Sequence, residues 1–190
     1  MAIEMKDAPA QAAVDTKWKV DPAHSEIQFK VKHLMITTVT GYFKHFDLEV
    51  ETEGHDFTKA KKILFTAEVD SIETNNSQRD THLKSPDFFD AATHKEIRFE
   101  SKKYEPAGAD YRLTGDLTIK DVTKQVAVRV EYGGIVVDPY GQTKAGFTVE
   151  GKISRKEFGL TWSAVTEAGH VVVADEIKIH CEIQLIKQQS

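Results

Sequence analysis

Apolar side chains return at every second position through most of this chain, and that alternation is the strongest constraint on its fold. "SEIQFKVKH" sets Ile27, Phe29, Val31 and His33 on one side and Gln28, Lys30 and Lys32 on the other. "HFDLEVE" does the same with Phe46, Leu48 and Val50, and "KILFTAEVD" with Ile63, Phe65, Ala67 and Val69. The pattern recurs in "EIRFES", "DYRLTGDLTIK", "QVAVRVEY", "AGFTVEGKIS" and "EIKIHCEIQL". A period of two belongs to strands, and an apolar face backed by a polar one belongs to an antiparallel sheet wetted on one side. The count is eight main strands, with a short ninth in "KWKV". Between them "EPAGAD", "IKDVTKQ", "VDPYGQT" and "TEAGHV" supply the Pro, Gly and Asp of tight reversals. In "EYGGIVV" the apolar phase moves from even positions to odd ones across Gly133–Gly134, as a β-bulge would move it.

A meander of eight strands leaves two bare edges, and closing it into a barrel removes both. The expected fold is therefore all-β: one eight-stranded antiparallel barrel with one or two short helices at its mouths. Two stretches break the alternation. In "NNSQRDTHLKSPDFFD" Asn75, Asn76 or Ser77 can cap a helix and Pro86 ends it. "ISRKEFGLTWSAV" holds a turn-like segment and Trp162.

The chain has 190 residues, long enough for one domain with its own core. Its formal charge of −5, with both signs spread along it, offers no basic stripe for nucleic acid. No apolar run nears the ~20 residues of a membrane-spanning helix. Residues 1–16 read as a flexible polar leader and 17–190 as the barrel domain. Glu4, Lys6 and Asp7 interrupt any apolar signal core, so a cytoplasmic protein is expected; a periplasmic one from which a signal had been removed would read the same way.

Four segments resemble the YceI-like family. "VDPAHSEIQFKVKHLMITTVTGYF" matches D-x-x-H-S-x-h-x-F-x-h-x-H followed by G-x-F. "RDTHLKSPDFFD" matches R-D-x-H-L-x-S-x-x-F-F-D. "GDLTIKDVTKQV" matches G-x-L-T-I-x-G-V-T-K-x-V, with Asp121 in place of Gly. "GFTVEGKISRKEFGL" matches G-F-x-x-x-x-x-I-x-R-x-x-F-G. The resemblance runs over residues 18 to 186. It implies a lipocalin-like barrel with an elongated hydrophobic channel for a polyisoprenoid, an isoprenoid quinone or a fatty amide, and it is compatible with a homodimer.

The expected function is that of a non-catalytic carrier or store of a long apolar lipid. Candidate walls are Phe29, Val31, Phe46, Phe65, Phe99, Leu117, Phe147 and Ile179. Phe158 and Trp162 are candidate mouth residues, with Phe88 as an apolar plug beneath the charged "RDTHLKSPD". Arg79 and His82, on one helical face, either anchor that helix or meet a ligand's polar head, and His33 shares the phase of Phe29 and Val31. The alternative is an enzyme acting on an isoprenoid-like molecule with His82 or His33 as acid or base. No cofactor motif is present: a G-x-S-x-G elbow and phosphate-binding glycine loops are both missing. The eight histidines lie nine or more residues apart and lack zinc spacing, so no metal is expected. The single cysteine, Cys181, falls in phase with Ile177, Ile179 and Ile183 and reads as a buried strand thiol.

Overall fold

A computed structural model describes residues 14–189 of the chain. The alternating segments form β1 (Asp15–Val20), β2 (Glu26–His33), β3 (Thr37–Phe43), β4 (Phe46–Glu53), β5 (Asp56–Glu68), β6 (Ile72–Glu73), β7 (Glu96–Ala107), β8 (Asp110–Ile119), β9 (Val122–Val137), β10 (Thr143–Ser154) and β11 (Val173–Lys187). One α-helix, α1 (Ser77–Lys84), lies between β6 and β7.

These eleven segments make a closed barrel of eight strands. Both β1 and β2 run antiparallel to β11, so they are two halves of one strand. Likewise β3 pairs with β2 while β4 pairs with β1, and β6 pairs with β3 while β5 pairs with β4. The remaining strands follow in chain order, and β1 against β11 closes the ring. The expected eight-stranded antiparallel barrel is the fold that forms. The short strand read in "KWKV" is the lower half of its first stave, and β1 starts at Asp15, inside the segment read as leader. The rest of that leader, residues 1–13, lies outside the described residues.

Strand β3 is an addition to the sequence reading. Its inward positions are Val39, Gly41 and Phe43, too sparse to register as alternation. Gly41 is small for a physical reason: it stands opposite Phe29, and a Cβ there would lie 2.2 Å from the ring. The ring lies across bare backbone instead. At Gly133–Gly134 the expected bulge is present, seen as a slip in the β9–β10 register between Gly146 and Phe147. The β8–β9 hairpin turns on Lys120 and Asp121, both at positive φ (51° and 63°). Asp is among the few non-glycine residues that enter that region readily, which explains how Asp121 stands in for the family's glycine.

The interior divides along the barrel axis. At the lower end Trp18, Phe57 and Phe147 pack in the lumen and the partly exposed Tyr132 covers them at the rim, with contacting rings 4.9–5.9 Å apart. The Trp18 indole donates to Thr52 Oγ1 (3.0 Å), and that hydroxyl donates to the Gly54 carbonyl (2.7 Å), so the buried polar atoms of this floor are paired. Tyr104 stacks on Tyr111 nearby, and burial holds its phenol well above the usual range.

Candidate functional site

Above the floor the inward side chains stop short of one another and leave a cavity of about 260 Å³. Phe29 and Val31 of β2, Phe65 of β5, Phe99 of β7, Leu117 of β8 and Ile179 of β11 line it, and Phe88 closes it from above. These seven expected residues converge on one space. Among the described residues that line it, only Gln28, Arg155 and Cys181 carry a side-chain heteroatom. Gln28 turns its amide to Tyr42 Oη (3.1 Å). Burial pushes the Cys181 thiol up to about 12, so it stays protonated and a poor nucleophile near neutral pH.

The other expected residues stand elsewhere, and the position of each follows from the fold. Phe147 is in phase with Val149 but belongs to the aromatic floor, against Phe57 at 4.9 Å. Phe46 packs half-buried against the core at the start of β4, off the cavity wall. Phe158 is buried without reaching the cavity. Trp162 backs the roof, 5.3 Å from Phe88. His33 ends β2 opposite Thr37 and Val173 and does not itself line the cavity.

The charged segment over the cavity is a tie for the roof. Asn76 caps α1 by accepting from the Arg79 amide (3.0 Å). Arg79 donates from Nε to Thr74 Oγ1 (2.8 Å) and from Nη2 to the Thr74 carbonyl (2.6 Å), while Asp80 accepts from the Thr74 amide (2.9 Å). An eight-residue helix is too short to hold itself in water, and these bonds fasten it to Thr74, the residue that follows β6. His82 meets Asp87 (Nε2 to Oδ2, 2.9 Å) and packs edge-on against Phe88 and Trp162, each at 5.0 Å. Neither Arg79 nor His82 lines the cavity. The polar half of "RDTHLKSPDFFD" thus fixes the helix, and its Phe88 and Phe89 face the lumen.

Arg155 is the residue of this site that the sequence reading did not single out. It is only 2% exposed and lies on the cavity wall. Its guanidinium donates to the carbonyls of Ala174 (2.9 Å), Leu160 (2.6 Å), Trp162 (2.7 Å) and Val173 (3.2 Å). Burial lowers its pKa, and the charge of Asp175 works against that shift. The side chain pins two crossing segments of the roof by filling their carbonyls. The available signal was the Arg of the I-x-R-x-x-F-G pattern, which sits beside Lys156 and Glu157 and so does not stand out by charge alone.

The D-x-x-H-S segment is a joint. Asp21 accepts from the Ala23 amide (3.1 Å), His24 Nδ1 (2.8 Å) and Gln184 Nε2 (3.1 Å), with Lys144 Nζ at 3.6 Å. Ser25 Oγ accepts from the Gln184 amide (2.9 Å). The break between β1 and β2 is thereby sealed to β11. Among the described residues no three His, Cys, Asp or Glu side chains converge as a metal would require. The chemistry this site offers is exclusion of water from hydrocarbon.

The description "YceI-like domain" matches residues 18–185. A UPF0312 protein of Staphylococcus epidermidis is 36% identical over 170 residues, covering 89% of this chain and 96% of that one. The crystal structure of a Campylobacter jejuni YceI protein superposes with a TM-score of 0.71 at 32% identity, covering 83% of this chain and 90% of that one. A polyisoprenoid binding domain from Saccharophagus degradans shares the fold at a TM-score of 0.66 and 11% identity, over 90% of this chain and 98% of that one.

Proposed function

Because the chain belongs to the YceI-like family, we propose that it carries or stores a long apolar lipid in the barrel cavity without chemically altering it. The observation that carries this reading is a lumen walled by Phe29, Val31, Phe65, Phe99, Leu117 and Ile179, with its few heteroatoms bonded to protein or protonated. Such a space holds a hydrocarbon tail by water exclusion alone, worth about 0.8 kcal/mol for each CH₂ withdrawn. A polyisoprenoid, an isoprenoid quinone or a fatty amide fits that chemistry, and the Saccharophagus degradans domain of the same fold is described as binding polyisoprenoid.

Organic extraction of the purified protein followed by mass spectrometry tests the proposal. A stoichiometric long-chain lipid is expected, and the stripped protein should take it up again. A barrel that neither yields nor accepts lipid removes the carrier reading. The His82–Asp87 pair at the roof favours an enzyme instead. Turnover of a bound lipid, abolished in His82→Ala with the fold intact, would replace the carrier with that enzyme.

A further inference from the structure

The roof of the barrel carries apolar side chains on its outside as well as its inside. The β2–β3 turn exposes Met35 (60%) and Ile36 (76%), and the β10–β11 loop exposes Val165 (63%) and Val171. The two loops are neighbours: the Leu34 amide donates to the Val172 carbonyl (2.8 Å), and Val165 bridges to Val171. The turn is built against local preference. Leu34 and Met35 sit at φ 52° and 61°, and the Ile36 amide closes back on the His33 carbonyl (3.1 Å). Such a turn favours Asn and Gly, and bulky side chains in it are strained. Apolar residues here are unfavourable both in water and in backbone conformation, the combination expected where a surface meets another apolar phase.

Below these loops the outer wall carries a row of lysines, with Glu176 above it on β11 and Glu167 in the β10–β11 loop as the acidic groups of this face. Lys152, Lys178 and Lys30 stand opposite one another across β10, β11 and β2, and Lys32 is the next outward residue toward the turn. All four are exposed. Only Lys152 has an acidic partner among the described residues, Glu176 at 3.8 Å. Like charges placed opposite in a ladder repel, and this row lies in a chain whose net charge is −5. An anion supplied from outside relieves it.

From this geometry we infer that the roof is a membrane-docking face: Met35, Ile36, Val165 and Val171 enter the interface of an anionic bilayer while Lys30, Lys32 and Lys178 meet its headgroups. Partly inserted apolar tips flanked by lysines are the chemistry of interfacial binding. The tips sit on the roof of the cavity, so docking there would place the cavity's capped end against the source of its ligand. The inference rests on the proposed lipid binding for its purpose, although docking is measurable without it.

The test is sedimentation of the full chain with phosphatidylcholine vesicles containing about one third phosphatidylglycerol, and with phosphatidylcholine alone. Binding should require the anionic lipid and fade with added salt. Lys30→Ser and Lys32→Ser should each weaken it about fivefold. Met35→Ser with Ile36→Ser should weaken it roughly tenfold or more, since the tips supply the inserted area. Met35→Gly separates docking from folding: it relaxes a strained turn, so the thermal midpoint should rise while vesicle binding falls. Lipid uptake delivered from ethanol is followed in parallel. Uptake without sedimentation overturns the docking face and leaves the carrier; sedimentation without uptake does the reverse. Vesicle binding indifferent to these substitutions, or substitutions that only convert a dimer to a monomer, also overturns it.

Discussion

The lower and upper halves of this barrel are built by the same alternation and end as different materials. Below, Trp18, Phe57 and Phe147 pack ring against ring in the lumen, with Tyr132 covering them at the rim. Above, Phe29, Phe65 and Phe99 project from the same phase of their strands and surround about 260 Å³ of space. The difference does not lie in hydrophobicity. Phe65 and Phe99 face each other across the β5–β7 ladder and stay at the wall, and Gly41 and Gly115 let the Phe29 and Phe99 rings lie flat against neighbouring backbone. At the floor Trp18 and Phe57 reach inward and meet Phe147 and Tyr132. Whether an inward aromatic fills or lines is set by what stands beside it.

The largest expected effect comes from emptying the filled half. Trp18→Ala should destabilise the protein by about 3–5 kcal/mol, because the transfer energy of the indole and the new void add together. Ile179→Ala, on the wall of the existing cavity, should fall at the low end of the roughly 2–5 kcal/mol range for such truncations and should change lipid uptake more than stability. Denaturant unfolding of both variants checks the ranking. Equal losses would mean that the cavity is packed as tightly as the floor.

Overfilling gives the next largest contrast. Phe147→Trp should cost about 1–3 kcal/mol by overpacking and leave lipid uptake unchanged. Phe65→Trp and Phe99→Trp should change the stability of delipidated protein by less than about 1 kcal/mol and weaken uptake, since the added ring takes space the tail would occupy. Delipidation matters because bound ligand stabilises the native state by mass action. If Phe65→Trp lost as much stability as Phe147→Trp with no change in uptake, the two halves would be alike and the carrier reading would fail.

The sequence made the barrel legible because its signals are local. Alternation, hairpin residues and the Gly133–Gly134 phase shift each act within a few positions, and each appears in the structure. It also identified Phe29, Phe65 and Phe99 as inward, but not which inward residues enclose empty space, because that depends on partners tens of residues away. Phe147 shows the limit: its phase is that of a wall, yet Phe57, ninety residues earlier in the chain, turns it into floor. Strand β3 escaped detection because Gly41 and the threonines dilute its apolar face. Arg155 escaped because backbone carbonyls explain a cation there, those of Leu160 and Trp162 just ahead in the chain and those of Val173 and Ala174 farther on, and carbonyls leave no mark in a sequence. Arg79 and His82 drew attention as a charged cluster, whereas Thr74, Asp87 and Trp162 give them a tying role.

The smallest expected effect concerns the joint between the halves, where β1 of the floor passes into β2 of the cavity at Asp21. Burial by itself raises the Asp21 carboxyl, but hydrogen bonds from His24 and the Ala23 amide, with the charges of His24 and Lys144, outweigh it and hold the group below the ordinary carboxylate value. A carboxyl depressed on folding contributes stability in full above its unfolded value, near 3.9, and loses it as pH falls through the folded value below that. Asp21→Asn keeps an oxygen to cap the turn and removes the charge facing Lys144. The variant should therefore be less stable than the parent by about 1 kcal/mol at pH 7, and the gap should close as pH drops below about 4. Urea midpoints for both proteins from pH 7 to 3 give the comparison, with lipid uptake recorded at pH 7. A gap that stayed constant over that range would assign Asp21 a purely geometric role. If uptake also fell with the charge, the joint would couple the solid half to the hollow one; unchanged uptake would show that the floor can loosen while the cavity keeps its shape.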